Sequence, residues 1–298
     1  MQIRFWVDDE KKGEQARDLL DKELKRLHAL LTVYAKSPLT DLNDHSGRWT
    51  AIPCEAKGLI KKSQLIAKAT KGAFDPTIGP LVKLWKIGGE TGEIPDEKAI
   101  TKAKSLVSYE RIETKESAQG CFARLGKNQS IDLGAIAKGF VGTQLARLLQ
   151  KSGVKHAILD LGGNIVLLGN SPEGNSWRIG VQDPRSTRGT ILATIEEKDT
   201  SIVTSGNYQR SFTKDDKLYH HIIDLTTGLP ADSGLNSVTV ICPSSVDADM
   251  LSTICFLLGE EKGRELIDSL PDVEAIFLIT FSLYIAPVPD PYIPNIKF

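Results

Sequence analysis

Pro243-Ser244-Ser245-Val246-Asp247-Ala248-Asp249-Met250-Leu251-Ser252-Thr253-Ile254-Cys255-Phe256-Leu257-Leu258-Gly259 reads as one helix with a start, a stop and a misplaced polar stripe. Ser244 or Ser245 is placed to cap the free amides at its start, with Asp247 where a capping-box acid stands. Gly259 is placed to end it in a left-handed turn. Most of the body is apolar, so the helix is expected to be buried. Asp249, Ser252 and Thr253 nevertheless fall at i, i+3 and i+4, which puts three oxygen-bearing side chains on one face. A buried carboxylate needs a partner. Carboxylate and hydroxyl oxygens suit a hard cation such as Mg²⁺, which also takes substrate phosphate oxygens and water. The other reading is an acid complementing the helix dipole, with two hydroxyls bonded back to carbonyls. Both readings stand on this stretch alone.

Around that helix lies an ordinary globular chain of 298 residues, 41% hydrophobic and 25% charged. It is long enough for a large core and is read as a single domain over 1–298, with room for two intimate subdomains of about 1–120 and 121–298. The 37 basic and 38 acidic residues nearly cancel. There is no basic field to draw a nucleic acid or an anionic membrane, so a small ligand or a protein partner is expected. Cys54, Cys121, Cys242 and Cys255 form no CxxC pair and no zinc spacing with histidine. Cys255 is expected to pack in the helix body, and cysteine usage leaves the redox compartment open. The opening Met1-Gln2-Ile3-Arg4-Phe5-Trp6-Val7-Asp8 reads as a strand already in progress, without a signal peptide. The longest apolar run, 275–286, is shorter than the roughly 20 residues of a spanning helix and reads as one or two core strands.

Helical spacing covers residues 10–33, 57–71, 97–106 and 135–151, the last ended by Gly153, with a short helix from Leu81 to Trp85. Residues 37–43 read as a loop, 72–80 as a fixed irregular loop with two prolines and two glycines, and 88–96 as a surface loop. Residues 122–125 and 130–133 read as a hairpin around Gly126-Lys127-Asn128. Further strands are expected near 156–160, 164–168, 177–182, 190–196, 200–204, 219–223 and 236–242. The fold class is therefore α+β, a mixed strand-rich core with packed helices.

Several loops carry chemistry. Ser130-Ile131-Asp132-Leu133-Gly134-Ala135-Ile136-Ala137-Lys138-Gly139-Phe140 runs from strand to helix through small residues, which let a ligand reach the backbone. Lys138 opposes the helix dipole unless it faces an anion; a solvated lysine is the alternative. Neither a Walker loop nor a GxGxxG fingerprint is present. His156 to Ile165 reads as two strands around Gly162-Gly163. Of the adjacent His220 and His221, only one can face a site with Ile223, and His221 is the choice. Asp224 is placed to start the turn that follows.

Each of these pieces is short, but their order resembles the ApbE family, the FAD:protein FMN transferases. Phe74-Asp75-Pro76-Thr77-Ile78-Gly79-Pro80-Leu81-Val82-Lys83-Leu84-Trp85 is similar to the family's signature loop, and Ile131-Asp132-Leu133-Gly134-Ala135-Ile136-Ala137-Lys138-Gly139 to its second block. Asp160-Leu161-Gly162-Gly163-Asn164, Thr204-Ser205-Gly206-Asn207-Tyr208, His221-Ile222-Ile223-Asp224 with Thr227-Gly228, and Asp249-Met250-Leu251-Ser252-Thr253 complete the series. Residues 37–43 are similar to the family's early Ser-Glu-x-Ser-x-x-Asn segment, ending at Asn43. The resemblance covers roughly residues 19 to 270.

The resemblance implies a transferase that moves FMN from FAD to a threonine hydroxyl of an acceptor protein, releasing AMP and requiring Mg²⁺, with the flavin in a deep cleft. Some members hydrolyse FAD to FMN and AMP instead, and a flavin-binding protein without catalysis is a third possibility. Carried across, Ala73, Phe74 and Asp75 line the FAD site, Asp132 and Lys138 contact the cofactor, Tyr34 packs on it, and Asn43 and Ile223 belong to the same site. Ala135 through its backbone oxygen, Asp249 and Thr253 hold Mg²⁺, with Ser252 beside it. His221 and Ile223 flank the reacting phosphate, and His221 or a carboxylate by the metal takes the threonine proton, His221 being preferred. The partners implied are FAD and an acceptor protein with a threonine-containing motif, not nucleic acid. Family members usually sit, lipid-anchored, on the outer side of the bacterial inner membrane. No anchor is visible here, so a cytoplasmic location stays open. The chain departs from the family pattern at the opening Met-Gly-Thr strand, which precedes its first residues, at Pro38 in place of an acid, and in the stretch after Thr280.

Overall fold

The computed structural model describes residues 1–87, 93–187, 189–279, 283–286 and 296–297. In chain order its helices are α1 (Glu10–Leu31), α2 (Pro38–Asp44), α3 (Cys54–Ala69), α4 (Gly79–Trp85), α5 (Glu97–Lys104), α6 (Gly134–Lys151) and α7 (Ser245–Asp268). The strands are β1 (Gln2–Trp6), β2 (Thr50–Ile52), β3 (Glu113–Ser117), β4 (Gly120–Arg124), β5 (His156–Asp160), β6 (Asn164–Leu168), β7 (Trp177–Gln182) and β8 (Ile191–Glu197). They continue with β9 (Ser201–Gly206), β10 (Ser211–Lys214), β11 (Lys217–His220), β12 (Leu235–Cys242), β13 (Glu274–Ile279), β14 (Leu283–Ala286) and β15 (Ile296–Lys297). The α+β class expected from the sequence is what folds. The chain forms two compact units, one from Met1–Leu24, Ala135–Tyr208 and Ser233–Phe298, the other from Lys25–Gly134 and Gln209–Asp232.

The first unit is built on a seven-stranded sheet in the order β1-β5-β6-β9-β12-β13-β14, with every neighbouring pair antiparallel. Alternation sorts its side chains into two faces. Ile202, Ile241 and Ile276 point to a second sheet of order β15-β8-β7, and pack there with Leu167, Trp177, Ile179 and Ile195. Each such side chain stabilises the fold by about 1.5–3 kcal/mol through burial. The residues between them in sequence face the other way, where α7 lies on β12 and β9. Ser244 caps α7 by accepting from Asp247 N at 3.3 Å. Gly259 breaks the helical geometry at φ 79° and ψ 179°, an extended glycine-only conformation rather than the expected left-handed turn. The helix then resumes to Asp268, because Gly263 and Ile267 still find the sheet: Ile267 is buried, and Gly263 sits so close to Phe277 that a Cβ would lie 2.8 Å from that ring. The apolar run after residue 273 becomes the two strands β13 and β14.

The second unit holds α2 to α5, a small sheet of order β2-β4-β3 and the hairpin β10-β11. Three local expectations are corrected here. Residues 37–43 are not a loop. Ser37 Oγ accepts from Leu39 N and Thr40 N, and Thr40 Oγ1 accepts from Ser37 N, a capping box that starts α2. Pro38 occupies the first helical position, where its missing N–H is no loss. Residues 130–133 do not pair with β4, which lies between β2 and β3 instead. Their backbone is engaged elsewhere: Ser130 O accepts from Gly79 N, and Asp132 N donates to Pro76 O. Asn43 takes both groups of Ile131, donating Nδ2 to its carbonyl at 3.0 Å and accepting its N–H at 2.7 Å. The strand expected over 219–223 ends at His220, since Ile222 and Ile223 turn inward to the core. That core joins Leu81, Trp85, Ile100, Ala103 and Ile223, with Trp85 Nε1 donating to Gly228 O at 2.8 Å. A disulfide, Cys54–Cys121, ties the start of α3 to β4. No motif marks this pairing in the sequence, since the partners lie 67 positions apart. Of the expected surface loop at 88–96, residues 88–92 lie outside the described residues.

Candidate functional site

In the first unit the polar stripe of α7 converges on one carboxylate. Asp249 is 2% exposed. Its Oδ2 accepts from Gly139 N at 2.8 Å, and its Oδ1 lies 3.8 Å from Lys138 Nζ. Burial pushes the Asp249 carboxyl up, against the Lys138 ammonium, the Gly139 amide and the Asn164 side chain, which all favour its ionised form. One turn on, Ser252 Oγ donates to the Asp249 carbonyl at 3.0 Å, and Thr253 Oγ1 reaches the same carbonyl at 3.4 Å. Ser205 Oγ on β9 bridges the two hydroxyls, at 2.8 Å from Ser252 and 3.1 Å from Thr253. The reading in which the two hydroxyls bond back to a carbonyl is thus what the helix shows.

This arrangement depends on two glycines of α6. A Cβ on Gly139 would sit 2.2 Å from the Ser245 carbonyl oxygen, and one on Gly142 2.7 Å from Val166 Cγ2. Backbone therefore meets backbone where α6 passes the start of α7, and Asp249 reaches the first turn of α6. In a regular helix the Gly139 N–H bonds the carbonyl four residues back, that of Ala135. Here it also meets Asp249 Oδ2, at 2.8 Å. Ala135 is half-buried in that turn. Among the described residues no three His, Cys, Asp or Glu side chains cluster to hold a metal.

The second unit holds the residues of the 74–80 loop. Asp75 is buried, and its Oδ1 accepts from Thr77 N at 2.8 Å and Thr77 Oγ1 at 2.7 Å, its Oδ2 from Tyr109 N at 2.7 Å. Burial raises its carboxyl, and these donors oppose the rise. Asp75 is thus the brace that gives the loop its shape. Phe74 is buried, and Ala73 N closes a turn onto Thr70 O. Gly72, Asp75, Lys104, Ser108, Tyr109 and Leu225 line a hollow of about 260 Å³. Asp132 Oδ1 accepts from Gly134 N at 2.7 Å, and burial raises its carboxyl against the charge of Arg210. Tyr34 is 81% exposed.

The paired histidines separate as expected. His220 is buried, its Nε2 bonded to Ala231 O at 2.9 Å, and burial lowers its pKa. His221 stays partly exposed, with Nδ1 3.3 Å from Arg210 O. Ile223 is a core residue at 2% exposure. Asn43 has both ends of its amide on Ile131, so it acts on the Asp132 segment through the backbone. Sequence reasoning assigned no role to Ser205, Asn164 or Gly139. The signal available was alternation along β6 and β9, which puts Asn164 and Ser205 on the face that α7 covers.

Residues 1–277 match the model of the ApbE family. A Treponema pallidum (strain Nichols) protein named FAD:protein FMN transferase is 36% identical over 232 residues, 74% of this chain and 64% of that protein. A Klebsiella pneumoniae (strain 342) protein of the same name is 35% identical over 257 residues, 86% of this chain and 79% of that one. The chain therefore spans somewhat under two thirds of the Treponema protein's length. Among solved structures, the ApbE protein of Thermotoga maritima superposes with a TM-score of 0.84 at 28% identity, over 95% of this chain and 93% of its own. The apo flavinyl transferase ApbE of Pseudomonas stutzeri superposes with a TM-score of 0.81 at 25% identity, over 95% and 90%.

Proposed function

The chain belongs to the ApbE family, and from that membership we propose that it is an enzyme that transfers the FMN half of FAD to a threonine hydroxyl of an acceptor protein, with AMP as leaving group and Mg²⁺ as the required ion. The observation that carries this reading is the buried Asp249 carboxylate, held by Gly139 N and faced by Lys138. The donors assigned to the ion fit Mg²⁺ by their chemistry. Asp249 Oδ1, the Thr253 hydroxyl and the Ala135 carbonyl are hard oxygen donors, with Ser252 and Ser205 beside them. A site with a single acid suits an ion that completes its shell with substrate phosphate and water. Asp249, Thr253 and Ala135 would hold the ion, which would supply positive charge to the diphosphate and to the leaving AMP.

The chain's own residues supply the rest. Lys138 adds a positive charge at the amino end of α6, where the free N–H groups already favour an anion. The Asp75 brace fixes the loop that presents Ala73 and Phe74 to FAD. Asp132 contacts the cofactor from the segment that Asn43 holds in place. Tyr34 offers an exposed ring for stacking, and Ile223 anchors the backbone that carries His221. With Nδ1 3.3 Å from the Arg210 carbonyl oxygen, His221 is the side chain assigned to accept the threonine proton as Oγ attacks the FMN phosphorus. The P–O bond to AMP then breaks, and charge leaves with AMP. The Cys54–Cys121 disulfide supports work in an oxidising compartment, since such bonds are rare in the cytosol. No described helix is long and apolar enough to cross a membrane.

Mass spectrometry of an acceptor carrying a suitable threonine, incubated with the chain, FAD and Mg²⁺, tests the reading. The expected product is an acceptor heavier by one FMN. An unmodified acceptor with free FMN and AMP would make the chain a pyrophosphatase, and unchanged FAD a binder only. Asp249→Ala is expected to lower turnover at least a hundredfold while changing FAD binding much less, as read by fluorescence titration. Lys138→Ala is expected to raise KM for FAD by about tenfold; unchanged kinetics would leave Lys138 a solvated lysine.

A further inference from the structure

The first unit buries an amide that the reaction described above does not use. Asn164 opens β6 and is 0% exposed. It pairs with Val203 on β9, and alternation turns its side chain to the face covered by α7. Its Oδ1 accepts from Ser245 Oγ at 3.1 Å. Its Nδ2 meets no partner at strict hydrogen-bond geometry, yet the side chain lies close enough to the Asp249 carboxylate to favour its ionised form. Ser245 and Asp249 stand at i and i+4 on α7, one above the other on the same face. An amide fastened at Oδ1 to Ser245 therefore extends its Nδ2 one helical turn along, towards the Asp249 carboxylate. All three residues are at most 2% exposed, so water does not mediate between them freely.

We propose that Asn164 is a positioning residue for the Asp249 carboxylate, an inference that rests on the metal-dependent reading above. Ser245 fixes the amide, and the amide's N–H groups hold the carboxylate in the orientation that leaves Oδ1 beside Lys138. A buried carboxylate with donors only at Gly139 and Lys138 would retain torsional freedom about its last bond; a donor from β6 removes it. The same contact locks the sheet to α7 at the turn that carries the acid. Partners that orient a ligating carboxylate typically change metal affinity by about 10–100-fold when removed.

The test is Mn²⁺ binding to the full-length chain without flavin, followed by the loss of the free-ion EPR signal, with thermal melting as the fold control. Asn164→Ala is expected to weaken Mn²⁺ about tenfold or more while the protein remains folded. Ser245→Ala, which removes only the anchor, is expected to weaken it by a smaller factor in the same direction. A purely structural Asn164 would lower the melting temperature and leave the Mn²⁺ affinity alone, and that result in a folded Asn164→Ala overturns the proposal. Should Asn164→Ala not fold, wild-type Mn²⁺ affinity in Ser245→Ala overturns it equally. A wild-type chain that binds no Mn²⁺ sinks the metal-dependent reading as well, whereas wild-type binding with indifferent variants sinks this inference only.

Discussion

At the scale of single residues, the chain places ionisable groups where burial and neighbours disagree. Asp249 and Asp75 are both buried acids, and backbone N–H donors offset part of the desolvation penalty at each. Glu274 is not compensated in this way. It is 7% exposed, its Oε2 has no hydrogen-bond partner among the described residues, and burial with the nearby Glu197 charge pushes its carboxyl from 4.5 to about 7. The folded state therefore holds a proton that the unfolded state has already released. Stability contributed by that proton is present below pH of about 4.5 and is lost as pH rises through about 7. Glu274→Gln is expected to stabilise the protein at pH of about 8 and to make little difference at about 5, as read by urea melts at both values. A variant that is no more stable than wild type at the higher pH would remove Glu274 as the source of the slope.

At the scale of elements, the site is made by the crossing of α6 and α7 rather than by either helix. Gly139 permits the crossing, and its N–H donates to Asp249 Oδ2 at 2.8 Å. Gly139→Ala forces a Cβ to within 2.2 Å of the Ser245 carbonyl oxygen and 2.8 Å of Val246 Cα. Backbone cannot step aside cheaply, so a destabilisation of about 1–3 kcal/mol or more is expected. Gly58→Ala is the control: Gly58 is exposed within α3, and a Cβ there meets nothing within 4 Å. It is expected to stabilise by about 0.5–1 kcal/mol through helix propensity. Calorimetry of the two variants decides whether close approach or backbone freedom governs these glycines. Helix α2 makes a related point. Its capping box and its proline at the first position are visible in the sequence, but Ser-Pro-Leu-Thr-Asp also suits a turn, and local chemistry alone did not separate the two.

At the scale of the whole molecule, chain segments distant in sequence share each unit. The Cys54–Cys121 bond closes a span of 67 positions in the second unit. Loop-closure entropy for that span is worth about 4 kcal/mol as an upper figure. Reduction, or Cys54→Ser with Cys121→Ser, is expected to lower the urea midpoint accordingly while leaving the buried thiols Cys242 and Cys255 unreacted in the folded protein. Burial raises the Cys255 thiol to about 12, which keeps it protonated and inert. A melting curve insensitive to reductant would show that the small sheet and α3 hold without the bond.

Periodicity and punctuation in the sequence determined most elements: the helical spacing of α1, α3 and α6, the alternating strands from β5 to β9, and the break at Gly259. The order of short motifs determined the family, and the i, i+3, i+4 stripe of Asp249, Ser252 and Thr253 pointed to oxygen chemistry before any fold was known. Tertiary structure decided what those signals could not contain. Residues 130–133 carry strand-like residues, but their hydrogen bonds go to Asn43 and to the 74–80 loop, partners 50 to 90 positions away. Cys54 finds Cys121, and Asp249 finds Gly139 N, across comparable separations. Local propensity records which conformation a segment prefers; which distant donor meets which acceptor depends on how the sheet and helices pack, and that is settled only when the apolar faces are buried together.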